Sequence, residues 1–193
     1  METGQQDLLV EITSFLLKNH IPYMVTGAWS VIYYGRPRAS HDIDFVVEIS
    51  ADDLERVLKA FSSLSDNFEV QKSLISRAVS NQGMFNIIYR PYVLKLDFWL
   101  LTEDKFDKSR FKRKQEVQVL GKKMFFSTAE DTILQKLRWY KQAATDKNIV
   151  DAAFVYQIQK KNLDFRYLTN WAKTLKVTRN LKKLETIDLE QYF

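Results

Sequence analysis

The chain has 193 residues, of which 46% are hydrophobic and 13% aromatic, with no cysteine and a formal net charge of +5. This composition fits one or two compact domains with a sizeable core and excludes a disordered or collagen-like chain. The absence of cysteine excludes a disulfide framework, a thiolate metal site and a cysteine nucleophile. No stretch approaches the ~18 uncharged apolar residues of a membrane span, and no basic stretch precedes the first apolar residues. We therefore expect a soluble, cytoplasmic protein that has no membrane partner.

In chain order, predicted helices and strands alternate as far as residue 126. Periodicity and turn residues predict helices over residues 5–18, 28–34 and 52–63, and strands over residues 23–26, 43–49, 67–72, 84–90 and 93–101. A charged segment follows at residues 103–114, and then a predicted hairpin with strands 116–119 and 124–126.

From residue 127 the apolar spacing becomes helical throughout. Ser127 and Glu130 have the spacing of a capping box. Helices are predicted over residues 128–143, 147–160 and 164–176, before a polar tail. We therefore expect an α/β (α+β) fold with a mixed, mostly antiparallel sheet flanked by helices in residues 1–126. A helical C-terminal subdomain, residues 127–193, is expected to close over the cleft.

The charge is unevenly distributed along the chain. Residues 1–100 hold 9 Lys and Arg against 12 Asp and Glu, a net of −3, whereas residues 101–193 hold 20 against 12, a net of +8. The basic half is as consistent with a nucleic-acid footprint as with a solvated, lysine-rich helical surface.

Three aspartates indicate a metal site. Asp42 and Asp44 lie two residues apart at the start of a predicted strand, so that their side chains share one face. Two adjacent carboxylates repel each other unless a cation lies between them, and Mg²⁺ prefers such oxygen ligands. Asp97 is the one acid in another apolar strand, and it completes a cluster for two cations if the two strands are neighbours.

Four residues upstream of these acids indicate an anion site. Gly27 closes a strand at the point where a helix begins, which offers backbone N–H groups to a phosphate. Ser30 adds a hydroxyl, and Arg36 and Arg38 supply positive charge in the following loop. Together with the aspartates, these residues predict a site for a nucleoside triphosphate and Mg²⁺.

Each of these features has a purely structural alternative. An Asp-x-Asp pair at a strand start is more often a solvated edge or a turn, and Gly27 alone is consistent with a simple strand-to-helix turn. Asp97 has Lys95 and Arg90 as alternative partners for a structural ion pair, and the two loop arginines are consistent with solvated side chains.

The segments Val25–Ser30, Gly35–Val47 and Leu96–Phe98 resemble the DNA polymerase β-like nucleotidyltransferase superfamily. Its members include tRNA CCA-adding enzymes, aminoglycoside nucleotidyltransferases and the toxins of abortive-infection toxin–antitoxin systems. The resemblance implies a nucleotidyltransferase fold in which Gly27 and Ser30 contact the triphosphate. The sequence departs from the family pattern at Ala28, where serine or a second glycine is usual.

The same resemblance assigns roles to the acids. It implies that Asp42 and Asp44 bind two Mg²⁺ ions and that Asp97 is a third ligand and a candidate general base.

A looser similarity to the abortive-infection toxins covers residues 130–151. It implies that Lys136 neutralises the triphosphate and that Asp151 orients this lysine or the base. The alternatives are an exposed helix lysine and a surface carboxylate.

The predicted activity is Mg²⁺-dependent transfer of a nucleoside monophosphate, from ATP or another triphosphate, to an acceptor hydroxyl. The basic second half favours RNA as the acceptor. The resemblance to the abortive-infection toxins implies tRNA or another RNA as the acceptor, a toxin role and an antitoxin partner. The alternatives are transfer to a small molecule of the antibiotic type and a non-catalytic nucleotide-binding protein that retains the fold.

Overall fold

The computed structural model describes residues 4–192. Its helices are α1 (Gly4–Lys18), α2 (Gly27–Tyr34), α3 (Leu54–Phe61), α4 (Lys72–Asn81), α5 (Lys105–Lys112), α6 (Ala129–Ala143), α7 (Asp146–Gln159), α8 (Phe165–Thr174) and α9 (Thr178–Lys183). Its strands are β1 (Tyr23–Thr26), β2 (Asp42–Val47), β3 (Phe68–Glu69), β4 (Met84–Tyr89), β5 (Leu94–Leu100), β6 (Gln115–Val119) and β7 (Lys122–Phe126). No helix among the described residues is long and apolar enough to cross a membrane.

The strands form one seven-stranded sheet in the order β3-β4-β5-β2-β1-β7-β6. The β2–β5 and β1–β7 pairs are parallel, and the other four pairs are antiparallel. The predicted mixed, mostly antiparallel sheet flanked by helices is therefore confirmed. The central strand β2 has β1 on one side and β5 on the other, so its two aspartates lie inside the sheet and not at its edge.

One face of the sheet carries the core. Phe45, Phe98 and Phe85 stack in a row across three strands, with ring centroids 5.1 and 4.9 Å apart. The ring of Phe61, from α3, meets Phe85 and Phe98 edge-on. Because side chains alternate along a strand, this packing turns the neighbouring residues of β2 and β5 to the opposite face.

The chain divides into two compact units. The first comprises residues 1–26 and 40–126 and holds the whole sheet, and the second comprises residues 27–39 and 127–193 and is helical. The division therefore differs from a single break at residue 126, because α2 and the loop after it belong to the helical unit. Within that unit, α2 packs on α6 and α7.

Two local expectations were wrong, and one segment to which no element was assigned contains a helix. The strand expected over residues 67–72 is confined to β3, and α4 follows it. The charged segment 103–114 contains α5, whose N-cap Asp104 accepts hydrogen bonds from the Phe106 and Asp107 amides. The N-cap of α6 is Thr128, whose hydroxyl accepts from the Asp131 amide, so the cap lies one residue after the expected Ser127.

Candidate functional site

The predicted acids of β2 and β5 lie side by side. The two strands run parallel, with the Cα of Asp44 opposite that of Asp97 and the Cα of Asp42 opposite that of Lys95. All four side chains point away from the phenylalanine row, to what we call the acid face. Neighbouring strands are about 4.8 Å apart, so residues 44 and 97, distant in sequence, form one pair of carboxylates.

Lys95 occupies the position of a counter-ion on the acid face. Its Nζ donates to Oδ2 of Asp97 at 2.9 Å. This hydrogen bond raises the pKa of Lys95, and the charges of Asp97, Asp42 and Asp44 add to the increase against the opposing effect of desolvation. Lys95 is therefore the ion-pair partner of Asp97. The other candidate, Arg90, has its Nε 3.9 Å from Oε2 of Glu69.

The donor set of the acid face fits a hard divalent cation. Asp97 is only 6% exposed, and its Oδ1 is buried with no hydrogen-bond partner among the described residues. Such an atom is costly to bury unless a proton donor or a cation satisfies it. No group of three or more acidic or histidine side chains within residues 4–192 is already arranged around a metal position. The carboxylates of β2 and β5 are therefore adjacent, and Asp97 is hydrogen-bonded to Lys95. They are not arranged as the ligands of a single metal position.

The expected strand-to-helix turn is present at Gly27. Its φ is +62°, a left-handed conformation that glycine adopts without strain, and α2 begins there directly after β1. Ser30 is completely buried, and its hydroxyl donates to the Gly27 carbonyl at 3.0 Å. Ser30 could donate to a phosphate only after its hydroxyl had broken the hydrogen bond to the Gly27 carbonyl.

The two loop arginines have different environments, and neither is a solvated side chain. The guanidinium of Arg36 lies 4.1 Å from the centroid of the Phe154 ring, and its Nη1 donates to the Tyr192 carbonyl. Arg38 binds Asp151 through two hydrogen bonds, from Nε to Oδ1 at 3.0 Å and from Nη2 to Oδ2 at 2.9 Å.

The helical unit contains a buried ion triad. Asp151 is 1% exposed and accepts from Arg38 and also from Nζ of Lys136, at 2.9 Å. Lys136 is 5% exposed, so the exposed-residue alternatives for Lys136 and Asp151 are wrong. Asp151 therefore pairs with both cations at once, and its role in orienting Lys136 stays a prediction.

A pocket of about 290 Å³ in the helical unit opens beside this triad. Its lining comprises Arg36, Arg38, Ala39, Asp146, Lys147, Val150, Asp151 and Tyr192. Lys147 belongs to none of the motifs described above. Its position in the first turn of α7, beside Asp146 and four residues before Asp151, is the signal that could have found it.

The sequence matches the model of the aminoglycoside-2''-adenylyltransferase family over residues 8–127, more than half of the chain. The chain belongs to this family. The predicted membership in the DNA polymerase β-like superfamily is thereby confirmed, and the protein is an enzyme, a nucleotidyltransferase. The sequence matches no curated protein.

Solved structures show the same fold as this adenylyltransferase-family chain. ANT(2'')-Ia in complex with adenylyl-2''-tobramycin has a TM-score of 0.62 and 12% identity, over 90% of this chain and 98% of that one. An antigenic nucleotidyltransferase-like protein from Paracoccidioides brasiliensis has a TM-score of 0.59 and 13% identity, over 95% and 92%. The lincosamide adenylyltransferase LnuA, bound to lincomycin, has a TM-score of 0.54 and 14% identity, over 80% and 98%.

Proposed function

We propose that this nucleotidyltransferase moves a nucleoside monophosphate from ATP to a hydroxyl group of a small molecule, with Mg²⁺ held by Asp42, Asp44 and Asp97. The observation that carries the proposal is the register of two parallel strands, in which Asp44 lies opposite Asp97 and Asp42 extends from the same face. The family of the chain supports the choice of ATP and of a small acceptor.

In the proposed reaction, the acceptor oxygen attacks the α-phosphorus of the triphosphate. A new oxygen–phosphorus bond forms, the bond from the α-phosphorus to the bridging oxygen breaks, and pyrophosphate leaves. Asp97 accepts the hydroxyl proton at its unpartnered Oδ1. Bound Mg²⁺ would neutralise the phosphate charge and lower the pKa of the attacking hydroxyl.

Cationic and backbone groups of the helical unit are proposed to bind the triphosphate. Gly27 would present its N–H at the start of α2, where the helix dipole also favours an anion. Arg36 and Lys136 would supply charge, while Arg38 acts with Asp151 to hold Lys136 in place. Ser30 would contribute its hydroxyl once released from the Gly27 carbonyl.

The test of this proposal is label transfer. We would incubate the protein with each α-labelled triphosphate, Mg²⁺ and one acceptor at a time: tobramycin, lincomycin or total RNA. Asp44→Asn is expected to lower the rate by roughly 10²- to 10³-fold, the usual effect of losing a group that stabilises transition-state charge. Full activity in Asp44→Asn would refute the assignment.

The matched control is Asp66→Asn, an exposed acid of the same unit. It should retain both activity and melting temperature. Triphosphate binding without pyrophosphate release in the wild type would indicate a binding protein that retains the fold.

A second candidate acceptor is RNA, favoured by the charge of the helical unit. Residues 27–39 and 127–193 together hold 14 Lys and Arg against 8 Asp and Glu, a net of +6. With tRNA as the acceptor, the chain would act as a toxin and require an antitoxin partner. Label found in RNA and absent from both antibiotics would establish this candidate in place of the first.

A further inference from the structure

One large aromatic side chain shares the acid face with the aspartates. Along β5, Lys95, Asp97 and Trp99 occupy alternate positions and point the same way, while Phe98 belongs to the core row. Trp99 is 41% exposed, although it lies in the middle of the sheet and not at an edge. A single exposed apolar residue is ordinary, but this one lies about 7 Å along the strand from Asp97.

The strands on either side complete the surroundings of the Trp99 indole. Across the β4–β5 pair, Met84 lies opposite Trp99 and Asn86 lies opposite Asp97. On the other side, Val46 lies opposite Trp99 and is covered by Phe111 of α5. The acid face thus has a carboxylate row with a carboxamide at one end, beside a row made of apolar side chains and one open indole ring.

We infer that Trp99 is the platform on which the acceptor ring lies while one of its hydroxyl groups reaches Asp97. This inference rests on the proposed function and adds to it a specificity-determining residue. The indole face binds the C–H face of a saturated ring or an ammonium group above it. Asn86 both donates and accepts hydrogen bonds, so it suits a neighbouring hydroxyl or amine of the same ring.

The test compares Trp99→Ala and Trp99→Phe with the wild type in the full-length chain, with tobramycin and lincomycin as probes. A cation–π or ring contact of 1–1.5 kcal/mol corresponds to roughly five- to tenfold in affinity. Trp99→Ala should therefore raise the KM for the transferred antibiotic by about tenfold and leave the KM for ATP unchanged. Trp99→Phe should restore most of the loss, because it retains an aromatic face. Calorimetry of antibiotic binding without ATP should give the highest affinity for the wild type, a slightly lower one for Trp99→Phe and the lowest for Trp99→Ala.

The control is Tyr92→Ala, an exposed aromatic residue in the turn just before β5. It should leave the KM for the antibiotic unchanged. An unchanged KM in a folded Trp99→Ala protein would overturn the inference while the proposed function stands, as would Trp99→Phe behaving like Trp99→Ala. Transfer of label to RNA and to neither antibiotic would also overturn the inference, because it requires a small ring as the acceptor. Transfer to no acceptor at all would overturn the proposed function and this inference with it.

Discussion

Lys95 offsets part of the repulsion between the carboxylates of the acid face when no metal ion is bound. Asp44 and Asp97 would repel each other on neighbouring strands, and the Lys95 ammonium lies 2.9 Å from one oxygen of Asp97. The same lysine competes with any divalent cation that these carboxylates bind. The side chain would therefore stabilise the metal-free protein and weaken the proposed binding of Mg²⁺.

The Lys95→Gln variant separates these two effects. We expect it to melt at a lower temperature than the wild type in EDTA, to bind Mg²⁺ several-fold more tightly, and to gain more stability from added Mg²⁺. Because the pKa of Lys95 is raised above 10.5, its ammonium is fully charged near neutral pH. The difference in melting temperature between Lys95→Gln and the wild type should therefore not vary with pH near neutrality. It should shrink only in strongly alkaline solution, where Lys95 loses its proton. The measurement is a melting curve at increasing Mg²⁺.

Lys123→Gln is the control for Lys95→Gln, since it removes an exposed ion pair with Glu116 in the same unit. It should leave the Mg²⁺ titration unchanged. Superimposable titrations of Lys95→Gln and the wild type would contradict the counter-ion role.

At the scale of elements, the buried triad connects three parts of the helical unit. Arg38 follows α2, Lys136 lies on α6 and Asp151 on α7, so a single carboxylate fixes two helices and a loop. Removing one member of a buried ion pair leaves the remaining charges desolvated without compensation.

Asp151→Asn keeps the size of the side chain and removes its charge. We expect it to lower the free energy of unfolding by about 3–5 kcal/mol, because the buried Lys136 and the largely buried Arg38 lose a charged partner. Asp146→Asn, an exposed change at the start of the same helix, should cost under about 1 kcal/mol. Urea unfolding measures both, and equal losses in the two variants would show that the triad does not stabilise the unit.

Local sequence signals predicted most elements but not their pairing. Alternation along β2 and β5 placed Asp42 and Asp44 on one face, and an isolated acid in an apolar run marked Asp97. The register that puts Asp44 opposite Asp97 depends on contacts between distant strands, which the periodicity of either strand does not determine. The pairing of Lys136 with Asp151 was implied only by resemblance.

The helices that were missed have physical reasons of their own. In α4 only Ile75 and Ala78 are buried, so the helix has a short apolar stripe among three serines. In α5 the two buried phenylalanines are surrounded in sequence by charged residues, so the apolar spacing of a helix is weak. The N-cap residue Asp104 was the one clear signal of a helix start.

For the whole molecule, the division into units also separates the charge. The sheet unit holds 15 Lys and Arg against 16 Asp and Glu, whereas the helical unit has a net of +6. The excess positive charge therefore lies in the helical unit, which carries Arg36, Lys136 and Lys147. The sheet unit, which carries the acid face, is close to neutral.

Lys147→Glu tests whether net charge or local position decides triphosphate binding. Lys147 lines the 290 Å³ pocket of the helical unit, while Lys183 is an exposed lysine of α9. Lys147→Glu and Lys183→Glu change the net charge equally, so a general electrostatic attraction would weaken ATP binding equally in both. We expect Lys147→Glu to raise the dissociation constant of ATP at least several-fold. Lys183→Glu should change it less at about 0.1 M salt, because Lys183 does not line the pocket and salt screens exposed charges that are not in contact with the ligand. Calorimetric titration with ATP provides the measurement, and equal weakening by the two variants would remove this pocket from the triphosphate site.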